Sequence, residues 1–467
     1  MLSYQDFSRA LESGDVKEEI ILDAIEEYQE SETYRRAKLA QRYYERKNEA
    51  ILSRLNYLQR RGQIDSKIVF HKICSGFFPK FCKQLSQYLL GNGVTLEDEY
   101  KTRLGPRFDK DIQTMGINTL VDGVNWGFWN LDRLIHFRAT EFFALFDERT
   151  GIPMVGIRFW QLDEDKPLNV ELYEIEGISQ YISNDNDELI LMPGTELIPY
   201  KQTIYSDKLS TQIISTDSYE VLPIFPLYAN ELKQSEFTNG LKSMIDAYDF
   251  ISSDLVDGIT TVEGIYWAIK NFGGQDAREL VAEIEKWRAT VNQDDATAQK
   301  FDVEIPYAAK QYALKLLEDN MYSDSMTLNM KQVQGGSLTN VAINVAKTDF
   351  DLKTDIFEWQ VADFVQNILS LMGIPEVEIK FKRRTITNDT ELVNNISTML
   401  TDGYIDTEMA ISLCPLIADS EQKDLLYRLQ LKDTGVPSND ESINEYDGIP
   451  QSEPTVEDVV NMFRGIN

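Results

Sequence analysis

The chain is organised around a run of helix-spaced apolar positions between Gly335 and Gly373: Leu338, Val341, Ala342 and Val345, then Phe357, Val361, Phe364, Val365, Ile368 and Met372. Gly335-Gly336-Ser337 places two flexible residues and an N-cap serine in front of it. Gly373-Ile374-Pro375 closes it with a C′ glycine and a proline just beyond. Neither glycine nor proline interrupts the interval, so the spacing predicts one helix over residues 337–373. At 1.5 Å per residue it would run roughly 50 Å, too long for one compact core. Its polar middle, Lys347 to Thr354, breaks the apolar stripe and predicts a kink or a change of neighbours there.

Residues 15–60 read as charged helices whose apolar face is Ile20, Ile21, Ala24, Ile25 and Tyr28. An amphipathic helix from Phe77 ends on Gly91 and Gly93. From Val124 to Tyr205 the pattern turns to strands, with runs around Phe137–Phe146, Ile157–Trp160, Val170–Ile175 and Leu189–Met192. Residues 235–258 are again helical, with Leu241, Met244, Ile245, Tyr248, Ile251 and Leu255 on one side. A strand from Glu263, a charged helix over 275–291 and a strand from Lys300 precede a helix over 307–322. After the long helix come a strand from Val377 with basic ends and three short helices over 388–400, 406–413 and 420–431. The Asp-, Glu-, Ser- and Pro-rich remainder from Thr434 is expected to be disordered, apart from a short helix over 456–463. The expected class is α+β.

Composition narrows the functions. With 46 basic and 77 acidic residues among 467, the formal charge is −31, which excludes a protein that grips phosphate along its length. It leaves open one past which DNA must slide without sticking. Three cysteines, Cys74, Cys82 and Cys414, fit reduced buried thiols better than a disulfide framework. The start lacks a basic-then-apolar signal and no apolar run spans a bilayer, so a soluble product without membrane partners is expected.

Candidate chemistry is sparse. There is no Gly-x-x-x-x-Gly-Lys loop, and Gly91-Asn92-Gly93 lacks the remaining dinucleotide-binding glycines. His71 and Cys74 are three apart but too few to hold zinc, and the only other histidine is His136. Asp163-Glu164-Asp165 and the Glu174/Glu176 pair invite a metal or acid–base reading, but a solvated turn and an exposed strand face explain them better. No catalytic residue, cofactor or metal site is expected. Arg35, Arg36, Lys38, Arg42, Arg46 and Lys47 read as a solvated helix face paired with Glu27, Glu30 and Glu32 rather than as a DNA contact. Lys380, Lys382, Arg383 and Arg384 fit a protected strand edge at least as well as a DNA contact.

Several segments resemble the portal proteins of tailed phages, in the Gp6-like branch found in phages of Gram-positive bacteria. The most specific is Ile245-Asp246-Ala247-Tyr248-Asp249 followed by Ser252-Ser253, which matches that family's Ile-Asp-x-Tyr-Asp helix. Tyr43-Tyr44 matches a tyrosine pair, although Glu45 stands where the family has glycine. Tyr88-Leu89-Leu90-Gly91 matches a helix-ending turn, Leu222 to Asn230 matches the approach to the stem, and Gly-Gly-Ser with Leu338 to Asn344 matches the tunnel loop and kinked helix. The resemblance runs from about residue 40 to about residue 430.

It implies a portal fold divided as follows: an N-terminal helical region (1–62), a wing with a β-rich part (63–229), a stem helix (230–262), a clip (263–304), a second stem helix (305–322), a tunnel loop (323–336), the long kinked helix (337–373), a wing strand (374–386), crown helices (387–433) and an acidic tail (434–467). It further implies a ring of twelve at one capsid vertex through which a terminase drives double-stranded DNA. The partners would be the terminase large subunit, a head-completion adaptor, the major capsid protein and scaffold. The location would be the virion, with the host cytoplasm during assembly. Met330, Lys331, Gln332 and Gln334 are then candidates to touch DNA, and Glu279, Glu283, Glu285, Lys286 and Arg288 candidates to meet terminase or adaptor. Two rivals are another phage connector or capsid-associated structural protein and a monomeric carboxylate-dependent nuclease or transferase.

Overall fold

The structure is a computed structural model that describes residues 3–53, 71–163, 165–207, 210–261, 266–270, 297–301, 306–333, 340–384 and 389–414. It is a mixed helix-and-sheet protein, as the α+β reading expects. The chain divides into two compact units, one of residues 1–334 with 344–385 and one of residues 335–343 with 386–467.

Sheets lie at the centre of the larger unit. Strands β4 (Phe142–Phe146), β5 (Pro153–Trp160), β6 (Asn169–Tyr173), β7 (Ile178–Ser183) and β8 (Leu189–Leu191) form an antiparallel five-stranded meander. Alternation sends Phe143, Leu145, Val155, Ile157 and Phe159 to one face, where Ile20, Ile21, Ala24, Ile25 and Tyr28 of the helix Lys17–Glu30 cover them. The Tyr28 ring stacks on Phe143 with centroids 4.4 Å apart, and its hydroxyl donates to the Ala139 carbonyl. Phe142 and Ala144 point the other way, into a second core with Trp126, Phe128, Phe137 and Tyr173. Burial on both faces explains why β4 reads Phe-Phe-Ala-Leu-Phe without polar alternation.

That second core is shared with a three-stranded sheet, β11 (Ile224–Tyr228), β2 (Val124–Asn130) and β3 (Arg133–Arg138), in that order. The odd residues of β2 face away from the meander. Trp129 meets Phe108 edge-on at 6.4 Å, and a Cβ on Gly127 would collide with the ring of Phe364. Glycine in mid-strand is therefore a steric requirement set by a distant helix. Asp122, fully buried at the end of the helix Phe108–Asp122, receives Nε and Nη2 of Arg138 at 2.9 and 2.7 Å, and Gln41 at 3.0 Å. This bidentate pair ties helix to sheet.

The long helical pattern of residues 337–373 divides into helices Asn340–Ala346 and Thr348–Leu371, with the break at Lys347, the first residue of the expected polar interruption. Phe350, Phe357, Val361, Phe364, Val365, Ile368 and Leu369 are buried. The helix closes as predicted on Gly373, whose φ is +73°. The Ile374 N–H reaches the Leu369 carbonyl at 3.0 Å and the Gly373 N–H the Ser370 carbonyl at 2.9 Å, the bond pair of a Schellman motif. The strand expected from Val377 is two residues, Lys380–Phe381, paired with Val94–Thr95. Strands β12 (Tyr266–Lys270) and β13 (Thr297–Phe301) pair antiparallel in full register. The strand from Lys300 is thus the C-terminal end of β13. The helix expected over 275–291 lies outside the described residues.

In the smaller unit, helices Asp389–Thr401 and Thr407–Leu413 pack together. Asp406 caps the second by accepting the Met409 N–H at 2.8 Å. The helices expected over 420–431 and 456–463 and the acidic tail lie outside the described residues. Among the described residues, no helix is long and apolar enough to cross a membrane.

Candidate functional site

The segment with most of the candidate contacts, residues 322–333, is held at its base by two helices and a rigid aromatic cluster. The helix Tyr307–Asp324 lies antiparallel to the helix Asn239–Thr261, with Lys310 bonded to Asp254 at 2.7 Å. Tyr322 is buried against Phe81 at 5.2 Å and Phe77 at 6.1 Å, and Lys80 Nζ donates to its hydroxyl. The helix runs two residues past the expected end because its stop signal is not a glycine. Met326 takes the left-handed position at φ +48°, the Thr327 N–H bonds the Tyr322 carbonyl, and the Met326 N–H bonds that of Ser323. A left-handed methionine is held only where its surroundings impose it. Here Lys353 donates to the Ser325 carbonyl at 2.9 Å and Gln84 to the Leu328 carbonyl at 3.1 Å, while Leu328 itself is buried.

Of the DNA-contact candidates, Met330 and Lys331 open the short helix Met330–Val333. Lys331 is 74% exposed and pairs with Glu318 at 2.9 Å, which raises its pKa above the usual lysine value. The ion pair faces an open groove of about 520 Å³ lined by Phe77, Lys80, Tyr248, Glu318, Tyr322 and Lys331. Gln332 belongs to the same short helix by its backbone, and Gln334 lies outside the described residues, as do Glu279, Glu283, Glu285, Lys286 and Arg288.

The Ile-Asp-x-Tyr-Asp motif proves to be a buried polar clamp. Tyr43 donates its hydroxyl to Asp246 at 2.6 Å, and Asn48 donates to Asp249 at 2.8 Å. Tyr248 stands edge-on to Phe77 at 4.9 Å. Starting from the motif's last residue, Asp249, Ser253 and Asp257 are four residues apart on one helix face and accept the backbone N–H groups of Ser75, Ile73 and His71 at 2.8, 3.1 and 2.9 Å. Four helical residues rise about 6 Å and two extended residues about 6.6 Å, so side chains of a helix serve an extended strap as a neighbouring strand would. Apolar periodicity assigned this helix an apolar side and missed the polar ladder; the spacing Asp249, Ser253, Asp257 was the available signal.

Glu45, in the place of the family's glycine, has an ordinary φ of −78°; the left-handed residue is Arg46 at +60°. The departure from the motif therefore carries no strain at Glu45. Of the basic N-terminal residues, Arg36 pairs with Glu32, Arg42 with Glu49 and Lys47 with Glu45, in keeping with a solvated helix face. Arg383 binds Asp355 and Glu358, and Lys380 binds Glu378, so part of the second basic cluster is neutralised within the chain. Glu174 binds Lys17 at 2.9 Å, and His71 binds Asp257. Among the described residues, no three His, Cys, Asp or Glu side chains converge on a metal-sized site.

Burial raises the Asp249 pKa above the usual carboxylate value. The folded state therefore holds its proton more tightly than the unfolded chain. This group's contribution to stability is complete below the ordinary carboxylate pKa and is lost as pH rises through the folded value. Asp249→Asn is expected to flatten that part of the pH–stability curve as pH rises above the ordinary carboxylate pKa of about 4. Asp249→Ala, which orphans the Ser75 N–H and the Asn48 amide, should destabilise by about 1–3 kcal/mol. Urea unfolding across that pH range checks both; a wild-type slope in Asp249→Asn would assign the pH dependence elsewhere.

A family model described as phage portal protein, SPP1 Gp6-like, matches residues 23–432. The chain belongs to this family. A portal protein of Bacillus phage SPP1 is 23% identical over 460 residues, covering 87% of this chain and 88% of that one. A portal protein of Clostridium phage phiCD119 is 22% identical over 215 residues, covering 44% of this chain and 47% of its own. The matched interval includes the polar clamp, the paired helices, residues 322–333 and the long helix.

Proposed function

We propose that this chain is the subunit of a twelve-membered portal ring that conducts double-stranded DNA through one capsid vertex. The supporting observation is the order of elements: helix Asn239–Thr261, the β12–β13 pair, helix Tyr307–Asp324, the short helix from Met330, then the long broken helix. On this reading the two paired helices are the stem, residues 263–304 the clip, residues 323–336 the tunnel loop and residues 387–433 the crown. Terminase supplies the power during packaging, and the ring then retains the genome, attaches the tail through an adaptor and releases DNA on ejection. Major capsid protein and scaffold surround it during assembly in the host cytoplasm. The chain itself performs no chemistry. A charge of −31 per subunit suits this role, since an acidic wall repels phosphate and lets DNA pass without the attraction of counterion release. Electron cryomicroscopy of the purified protein should show closed rings with helices around a lumen; a stable monomer at every concentration would overturn the reading.

The clip is proposed to meet terminase first and the adaptor afterwards, through Glu279, Glu283, Glu285, Lys286 and Arg288. Reversing charge at Glu283 and Glu285 is expected to weaken terminase binding several-fold while rings still form. Unchanged packaging and adaptor attachment by those rings would remove the two glutamates from the contact.

A further inference from the structure

The helix Thr348–Leu371 has two apolar sides, and the described residues cover one. Opposite the buried row of Phe350, Phe357, Val361 and Phe364, a second row stands in solvent: Leu352 at 53%, Ile356 at 37% and Trp359 at 60% exposure, continued by Val345 before the break. An apolar row of this length on a helix is a contact surface awaiting a partner. Beside it runs a row of carboxylates, Asp351, Asp355 and Glu358, with Arg383 as their shared cation. Three negative charges against one positive leave this flank acidic.

The complementary surface is on the same chain. Residues 307–317 contain no carboxylate and two lysines, in a protein with an excess of 31 negative charges. Lys310 is bonded to Asp254, whereas Lys315 is exposed and makes no ion pair among the described residues. On the same helix face as Lys315 stand Tyr312, 70% exposed, and Leu316, 48% exposed. One surface is thus apolar with an acidic flank, and the other is apolar with the single cation Lys315 at its edge, Glu318 and Asp319 following one turn on.

We infer that the Leu352–Ile356–Trp359 row of one subunit packs on the Tyr312–Leu316 face of the next, with Lys315 set against the carboxylates around Arg383. Two different surfaces meeting head-to-tail form a heterologous contact, the kind that closes into a ring. The inference rests on the ring reading above and names the surfaces that build the ring. The acidic C-terminal tail of the same chain is the poorer occupant, because the flanking carboxylates repel it.

Cysteine substitution tests the contact. Tyr312→Cys and Trp359→Cys subunits, each purified and then co-assembled, should give on mild oxidation a cross-linked dimer and nothing larger. The double variant should give a ladder of higher multimers, and wild type, with its own Cys74, Cys82 and Cys414, neither product. Intact rings without these cross-links, or cross-links in Trp359→Cys alone, would overturn the inference while the ring reading stands. Failure of wild type itself to form rings would instead overturn the ring reading. As a second variant, Lys315→Glu should raise the protein concentration needed for half-maximal ring formation at least several-fold with an unchanged circular dichroism spectrum. Insensitivity of assembly to that change would also count against the contact.

Discussion

Phe364→Ala is expected to destabilise the larger unit by about 3–5 kcal/mol, through lost transfer free energy and the cavity left behind. Phe364 is 1% exposed and sits where a side chain at position 127 would be, so it joins the long helix to the central strand of the three-stranded sheet. The same contact predicts a specific non-additivity. Gly127→Ala alone should destabilise by about 1–3 kcal/mol, because its methyl collides with the ring. In the Phe364→Ala background that methyl enters the vacated space, so the double variant should lose clearly less than the two single losses combined. Denaturant titrations of the four proteins measure this. Simple additivity would mean that the ring and the glycine do not meet. Because the long helix carries Lys353, which holds the Ser325 carbonyl, the Phe364 variant should also loosen residues 325–331. Amide hydrogen exchange there reports it.

Lys331→Glu is expected to slow or stall DNA packaging, most strongly at low salt, where phosphate repulsion is least screened. Each copy changes by two charge units, and the proposed ring repeats the change at every subunit. Position 331 also loses its pairing with Glu318, so the variant alone mixes two causes: an altered lumen charge and a loosened loop. The exchanged double variant Lys331→Glu with Glu318→Lys separates them. It restores the ion pair but keeps negative charge at the exposed position. If packaging stays slow in the double variant, charge facing DNA is responsible; if it recovers, the pair matters and Lys331 does not touch DNA. Normal full-length packaging by Lys331→Glu itself would exclude both roles. With Lys331 open to solvent, its pair with the largely covered Glu318 contributes modestly to stability, so ring assembly should survive every variant.

Much of this architecture was legible in the order of residues. The apolar face of Ile20, Ile21, Ala24, Ile25 and Tyr28, the strand runs after Val124 and the closing turn at Gly373 follow from periodicity and backbone chemistry, which are local. So does the weakening of the long helix near Lys347, where the apolar row lapses. The portal resemblance was legible because its motifs keep their order along the chain. Ends set by distant contacts were not legible. Met326 and Arg46 take left-handed conformations that their side chains do not announce, and the helix Tyr307–Asp324 ends two residues past its expected limit beside the first of them. The two-residue pairing at Lys380–Phe381 depends on where Val94–Thr95 lies, not on the strand propensity of its neighbours. From sequence, the segment that carries the family motif reads as a helix with one apolar side, and nothing in it assigns partners to its acidic residues. Only the tertiary structure buries Asp249 under Asn48 and Ser75, because hydrogen bonding to an extended strap depends on two segments about 175 residues apart meeting in register. Helix and strand periods are written within a few residues of each other; the partner of a buried polar group is chosen by the fold.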